Sequence, residues 1–149
     1  MADVLHDVVQ SCALEAEARH CRLVVTDTSA RTLHGDPELL RRAIENVVRN
    51  AIRYAPAQSE VDVRAEDSPT GVVISVRDAG AGVPDDLLPR LAQPFFRVED
   101  ARDYSASGGV GLGLSIAQRA VTLHQGTLVA ENAHPGLRVK LTFPDKALA

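Results

Sequence analysis

Apolar residues recur at helical spacing across residues 4–19, where Val4, Leu5, Val8, Val9, Cys12, Ala13 and Ala16 form one stripe. This predicts an amphipathic helix. Two short extended pieces follow at 23–26 and 31–33, with the polar Asp27-Thr28-Ser29 between them, and they read as a hairpin. Asp36-Pro37 then supplies an N-cap and a proline at the first helical position. Leu39, Leu40, Ala43, Ile44, Val47, Val48, Ala51 and Ile52 carry the apolar stripe of this second helix until Pro56 stops it. Alternation at Val61, Val63, Ala65 and at Val72, Ile74, Val76, across Pro69-Thr70-Gly71, predicts two antiparallel strands. A short helix is expected at 85–91 and a polar, glycine-ending stretch at 98–109. A third long helix is expected at 112–124, ended by Gly126, with final strands at 127–131 and 137–143. The sum is an α/β (α+β) two-layer sandwich with antiparallel pairing.

Three polar interruptions of this pattern carry chemistry. In the second helix Asn46, Asn50 and Tyr54 recur every four residues, with Arg53 beside them, so a polar stripe runs next to an apolar one. A carboxamide oxygen is a neutral, hard ligand of the kind Mg²⁺ accepts, which makes Asn50 the candidate metal ligand. A solvated helix face explains the same asparagines equally well. Asp78-Ala79-Gly80-Ala81-Gly82 puts a carboxylate at a strand end, before glycines that let backbone approach a flat ligand. Taken alone it also reads as a tight turn with a capping Asp. Gly109-Val110-Gly111-Leu112-Gly113 opens the third helix, where free N–H groups and the helix dipole can face phosphate oxygens. It lacks the Lys-Ser/Thr ending of a P-loop.

Length and composition narrow the field. The 149 residues are expected to form one domain, and 45% hydrophobic with 24% charged residues excludes a disordered or fibrous chain. A formal net charge of -4 and 3% aromatic residues argue against nucleic acid as a partner. Cys12 and Cys21 have no CxxC or His spacing and read as reduced thiols, which points to the cytoplasm. No apolar run reaches the length that crosses a bilayer, so direct membrane contact is not expected.

The order of these features is more specific than any one of them. Residues 43–54 (AIENVVRNAIRY), 78–82 (DAGAG), 94–97 (PFFR) and 109–114 (GVGLGL) resemble the N, G1, F and G2 boxes of the catalytic domain of sensor histidine kinases. That domain is part of the wider ATPase family of gyrase, the Hsp90 chaperones and MutL. The wording of the boxes, with Glu99-Asp-Ala-Arg102, resembles that of envelope-stress sensor kinases of the Cpx type. The resemblance implies a mixed, mostly antiparallel five-stranded sheet packed on three helices, the Bergerat ATP-binding fold. ATP would lie between the second helix and a mobile lid. Asp78 would bind the adenine amino group, with Gly80 and Gly82 beside it, and Asn50 would hold Mg²⁺. Asn46 and Arg53 would serve the phosphate region, and Tyr54 would border the base. Arg97 would meet the phosphates or the transferring group, and Arg102 would be a further lid contact. Gly109, Val110, Gly111, Leu112 and Gly113 would wrap the phosphates. The chain departs from the family at Ala92, where an aromatic commonly opens the F box, and at Val110, where threonine is frequent.

The resemblance further implies transfer of the ATP γ-phosphate to a histidine, with Asn46 and Arg97 as the catalytic residues. The acceptor should have an acidic neighbour and a proline a few residues on. None of His6, His20, His34, His124 or His134 has that setting, so the acceptor is expected on a dimerisation domain outside this chain. The implied partners are that domain and a downstream response regulator, with a monomeric fragment of a homodimeric inner-membrane parent. Two other classes remain: a hydrolase of the gyrase and Hsp90 type, and a noncatalytic nucleotide-responsive module. The hydrolases carry a glutamate where this chain has Asn46. Glu45 lies about 100° away on the helix.

Overall fold

The computed structural model describes residues 2–33, 35–91 and 113–145. Its elements run α1 (Ala2–Ala18), β1 (Arg22–Asp27), α2 (Pro37–Tyr54), β2 (Glu60–Ser68), β3 (Gly71–Arg77), a 3₁₀ helix (Asp85–Arg90), α3 (Gly113–Leu123), β4 (Thr127–Asn132) and β5 (Leu137–Pro144). The strands form one mixed sheet in the order β1-β2-β3-β5-β4.

One face of the sheet is apolar because the strand period is two. Val61, Val63 and Ala65 of β2, Val72, Ile74 and Val76 of β3, and Leu137, Val139, Leu141 and Phe143 of β5 are all buried. The helices cover that face. α2 contributes Leu40, Ala43, Ile44, Val47, Val48, Ala51 and Ile52, α1 contributes Leu5, Val8, Cys12 and Ala16, and α3 contributes Leu114, Ala117, Ala120 and Val121. Both cysteines are free and buried. Among the described residues no helix is long and apolar enough to cross a membrane.

The capping of α2 follows its sequence. The Asp36 carboxylate accepts from the N–H groups of Glu38 (2.9 Å) and Leu39 (3.2 Å), and Pro37 has no N–H to satisfy. At the other end Pro56 excludes helical backbone from the preceding residue, and Ala55 is extended (φ −71°, ψ 133°).

The hairpin expected at 23–33 does not form. β1 pairs instead with β2 in parallel, from Arg22↔Glu60 to Asp27↔Ala65. Parallel neighbours need a crossover, and α2 is that crossover. Residues 31–33 are not a strand because the turn before them is tied to the end of β2. Asp27 accepts from Ser29 N–H (3.0 Å), and Asp67 accepts from Ser29 Oγ (2.6 Å) and Ala30 N–H (3.1 Å). Arg31 then pairs with Asp145.

The end of α3 also differs from expectation in detail. Gly126 N–H bonds Val121 C=O (2.8 Å), closing the helix, but the left-handed residue is Gln125 (φ 61°). Gly126 is required for another reason: a Cβ there would stand 2.2 Å from Thr142 O of β5.

Candidate nucleotide-binding site

Three segments meet here: the turn after β3, the C-terminal half of α2 and the β4–β5 turn. The first is the turn after β3. Gly80 lies so close to the last residue of α2 that a Cβ would come 2.5 Å from Tyr54 O, so the DxGxG turn abuts the helix directly. The second is α2 itself. Asn46 donates its amide to Arg42 C=O (2.7 Å), the i−4 position, which leaves its oxygen directed away from that bond. Among the described residues none bonds the Asn50 carboxamide. Its half-buried, neutral oxygen fits a hard divalent cation.

The third segment is the β4–β5 turn. Asp78 is 3% exposed, and its Oδ1 accepts from Gly80 N–H (2.8 Å) and from Leu137 N–H (3.3 Å). Among the described residues no donor reaches Oδ2. Burial pushes the Asp78 carboxyl above the ordinary range, against the pull of the Gly80 and Leu137 N–H groups and the Arg77 charge. A buried carboxylate oxygen without a donor is a site for a donor from a ligand.

Glu45 is turned away from this site. It is 8% exposed and paired with Arg41 and Arg49, each four residues away, and Arg49 also bonds Glu15 of α1 (2.7 Å). Its carboxylate belongs to the α1–α2 seam and not to a water-activating role.

His124 sits at the C-terminal end of α3. Its Nε2 accepts from Asp36 N–H (3.2 Å), so Nδ1 carries the proton and donates to Ala120 C=O (2.7 Å). The end of α3 is thereby anchored at the start of α2. Eleven residues rising about 1.5 Å each put Gly113 roughly 16 Å along α3 from that anchor.

The structure therefore brings Tyr54, at the end of α2, against the turn that carries Asp78, Gly80 and Gly82, while Asn46, Asn50 and Arg53 lie earlier on the same helix and Gly113 is the first residue of α3. Arg97, Arg102, Gly109, Val110, Gly111 and Leu112 lie outside the described residues, as do the 94–97 segment and the lid expected at 98–109. Sequence reasoning missed Gly136 and Leu137. Gly136 is left-handed (φ 88°), and a Cβ on it would meet Asp78 O at 1.8 Å. Only its place in a turn between two strands marked it.

A family model described as histidine kinase-, DNA gyrase B-, and HSP90-like ATPase matches residues 35–147. The chain belongs to this family. Within the family it is similar to the sensor histidine kinase CpxA of Escherichia coli, 37% identical over 140 residues, which is 93% of this chain and 30% of CpxA. It is 41% identical over 108 residues to the sensor protein PfeS of Pseudomonas aeruginosa, covering 72% of this chain and 23% of PfeS. The chain thus spans about a third or less of these curated relatives. Among solved structures, the mycobacterial sensor histidine kinase MprB superposes with a TM-score of 0.79 at 27% identity, over 94% of this chain and 95% of that one. The four boxes read in the sequence thus belong to a histidine kinase-like ATPase of the sensor kinase kind, with the five-stranded mixed sheet that the resemblance implied.

Proposed function

We propose that residues 1–149 are one domain that binds ATP·Mg²⁺ and donates the γ-phosphate to a histidine on the dimerisation domain of the same parent protein. The phosphate then passes to a response regulator. The parent would be a homodimeric sensor with this domain on the cytoplasmic side of the inner membrane. The observation that carries the reading is Asp78: one oxygen is fixed by two backbone donors and the other, buried, has none among the described residues. An adenine amino group supplies that donor, whereas guanine offers a carbonyl there.

The base would lie over Gly80 and Gly82, bordered by Tyr54, and the triphosphate would run along Asn46, Asn50 and Arg53 toward Gly109–Gly113. Asn50 would hold the metal ion, which neutralises phosphate charge when bound. Asn46 would orient the reacting end, and Arg97 would meet charge developing on the transferring group. Transfer is then mostly positioning plus charge stabilisation.

The test is to mix this chain with a separately made histidine segment from its parent and follow radiolabel from γ-labelled ATP. Labelled histidine should accumulate faster at higher concentrations of the chain. Arg97→Ala should slow transfer more than it weakens ATP binding. Brisk phosphate release by the chain alone, with no labelled histidine, would assign it to the hydrolases.

A further inference from the structure

The β4–β5 hairpin grips the DxGxG turn at both of its ends. At the first end Leu137 donates its N–H to Asp78 Oδ1 and accepts from Asp78 N–H through its own carbonyl (3.1 Å). At the second end the Asn132 side chain takes both backbone groups of Val83. Asn132 Oδ1 accepts from Val83 N–H (2.9 Å), and Nδ2 donates to Val83 C=O (2.6 Å). The same Nδ2 also reaches Asp85 Oδ1 (3.0 Å). Asn132 and Leu137 are register partners, so a single rung of the β4–β5 ladder holds residues 78 and 83.

This arrangement has a geometric consequence. Residues 79–82 span two points whose separation is set by one rung of an antiparallel pair, so the width of the turn is fixed by the hairpin. Gly82 (φ 78°) lies against the same amide, where a Cβ would stand 2.7 Å from Asn132 Oδ1. A carboxamide is the side chain that can both accept from an N–H and donate to a C=O in this fork. A carboxylate at 132 would face Val83 C=O and the Asp85 carboxylate, with repulsion on both sides.

We propose that Asn132 is a positioning residue for nucleotide recognition: its two-point bond to Val83 holds the Gly80–Gly82 backbone in the shape that admits the adenine ring beside Asp78. The inference rests on the ATP-binding reading above. Asn132 touches no nucleotide; it acts through Val83. Without it the turn remains anchored at Asp78 alone, and ordering residues 79–83 becomes a cost of binding.

The experiment is calorimetry of ATP and of GTP, each with Mg²⁺, on the whole chain at a temperature well below every variant's melting point. Asn132→Ala should weaken ATP about tenfold, of the size seen when a supporting hydrogen-bond partner is removed. It should also narrow the ratio of ATP to GTP affinity, which a loss of global stability would not do. Leu5→Ala removes core packing from α1, which carries none of the residues placed at the nucleotide, and should lower the melting temperature while leaving both affinities unchanged. Asn132→Asp should weaken ATP at least as much as Asn132→Ala. Adding Asp85→Asn to it should recover part of the loss, because a donor then faces the new carboxylate. Equal ATP affinity in wild type, Asn132→Ala and Asn132→Asp overturns the proposal. Wild type that binds no ATP removes the parent reading, and this inference with it.

Discussion

Asp78 is held in the protein in a form that disfavours its own charge. Burial raises its pKa, so the folded chain keeps the proton to a higher pH than the unfolded chain does. The sign follows directly. As pH rises through the ordinary carboxylate range, the unfolded chain ionises first and folding loses stability, and the loss then persists at neutral pH. Asp78→Asn keeps an oxygen to accept from Gly80 and Leu137 and removes the buried charge. The ligand-free variant should melt higher at pH 7, by about 2–4 °C for each kcal/mol relieved. The difference should shrink as pH falls toward about 4. The same variant should lose ATP, because an amide N–H would face the adenine amino group. Scanning calorimetry across pH with and without ATP checks both signs, and a variant that melts lower at pH 7 would refute the burial argument. A binding residue that costs the free domain stability is the pattern expected of a site shaped for a ligand.

At the scale of elements, one imidazole ties the end of α3 to the start of α2. His124 is 1% exposed, bonds Asp36 N–H and Ala120 C=O, and meets the Phe143 ring edge-on with centroids 6.4 Å apart. Gly35 makes room for it, since a Cβ there would stand 2.4 Å from the ring. His124→Ala should cost about 2–4 kcal/mol, combining a cavity with an unpaired N–H at the cap of α2. His124→Phe refills the volume but not the hydrogen bond, and should recover only part of the loss. Urea midpoints decide the matter: full recovery in His124→Phe would mean that the bond to Asp36 contributes nothing. Because the proposed phosphate cradle ends at Gly113, the first residue of α3, both variants should also weaken ATP more than their stability loss explains.

For the whole molecule, the two thiols report opening of the fold. Cys12 is fully buried between α1 and α2, and burial pushes its thiol up to about 11. Cys21 is buried as well, with its pKa raised by burial. The thiolate is the reactive form, so neither should react appreciably with a disulfide reagent at pH 7–8 while the chain is folded. Labelling of Cys12 should follow the global opening equilibrium, and saturating ATP with Mg²⁺ should slow it further, because a ligand of the folded state lowers the open population. Labelling as fast as for a free thiol, or unchanged by ATP, would contradict the buried core or the nucleotide site respectively.

What the sequence determined was local. The period of the apolar residues defined α2 to within a residue at each end, because Asp36-Pro37 and Pro56 act on the backbone next to them. Alternation likewise exposed β2 and β3, and the asparagine stripe and DxGxG turn were legible because each is a short run with its own chemistry. Tertiary structure decided what depends on residues far apart in the chain. The half-apolar β1 carries no mark of its partner, and its parallel pairing with β2 emerges only once α2 has packed and carried the chain across. Asn132 reads as the polar end of a strand; its role exists because Val83, 49 residues earlier, presents both backbone groups to it. His124 bonds across 88 residues to a backbone N–H, and no spacing encodes that. The unpaired Oδ2 of Asp78 belongs here too, since burial and the absence of a described donor are properties of the packed turn and hairpin together. Periodicity records which side of an element faces the core, whereas a binding site is made where the ends of several elements meet.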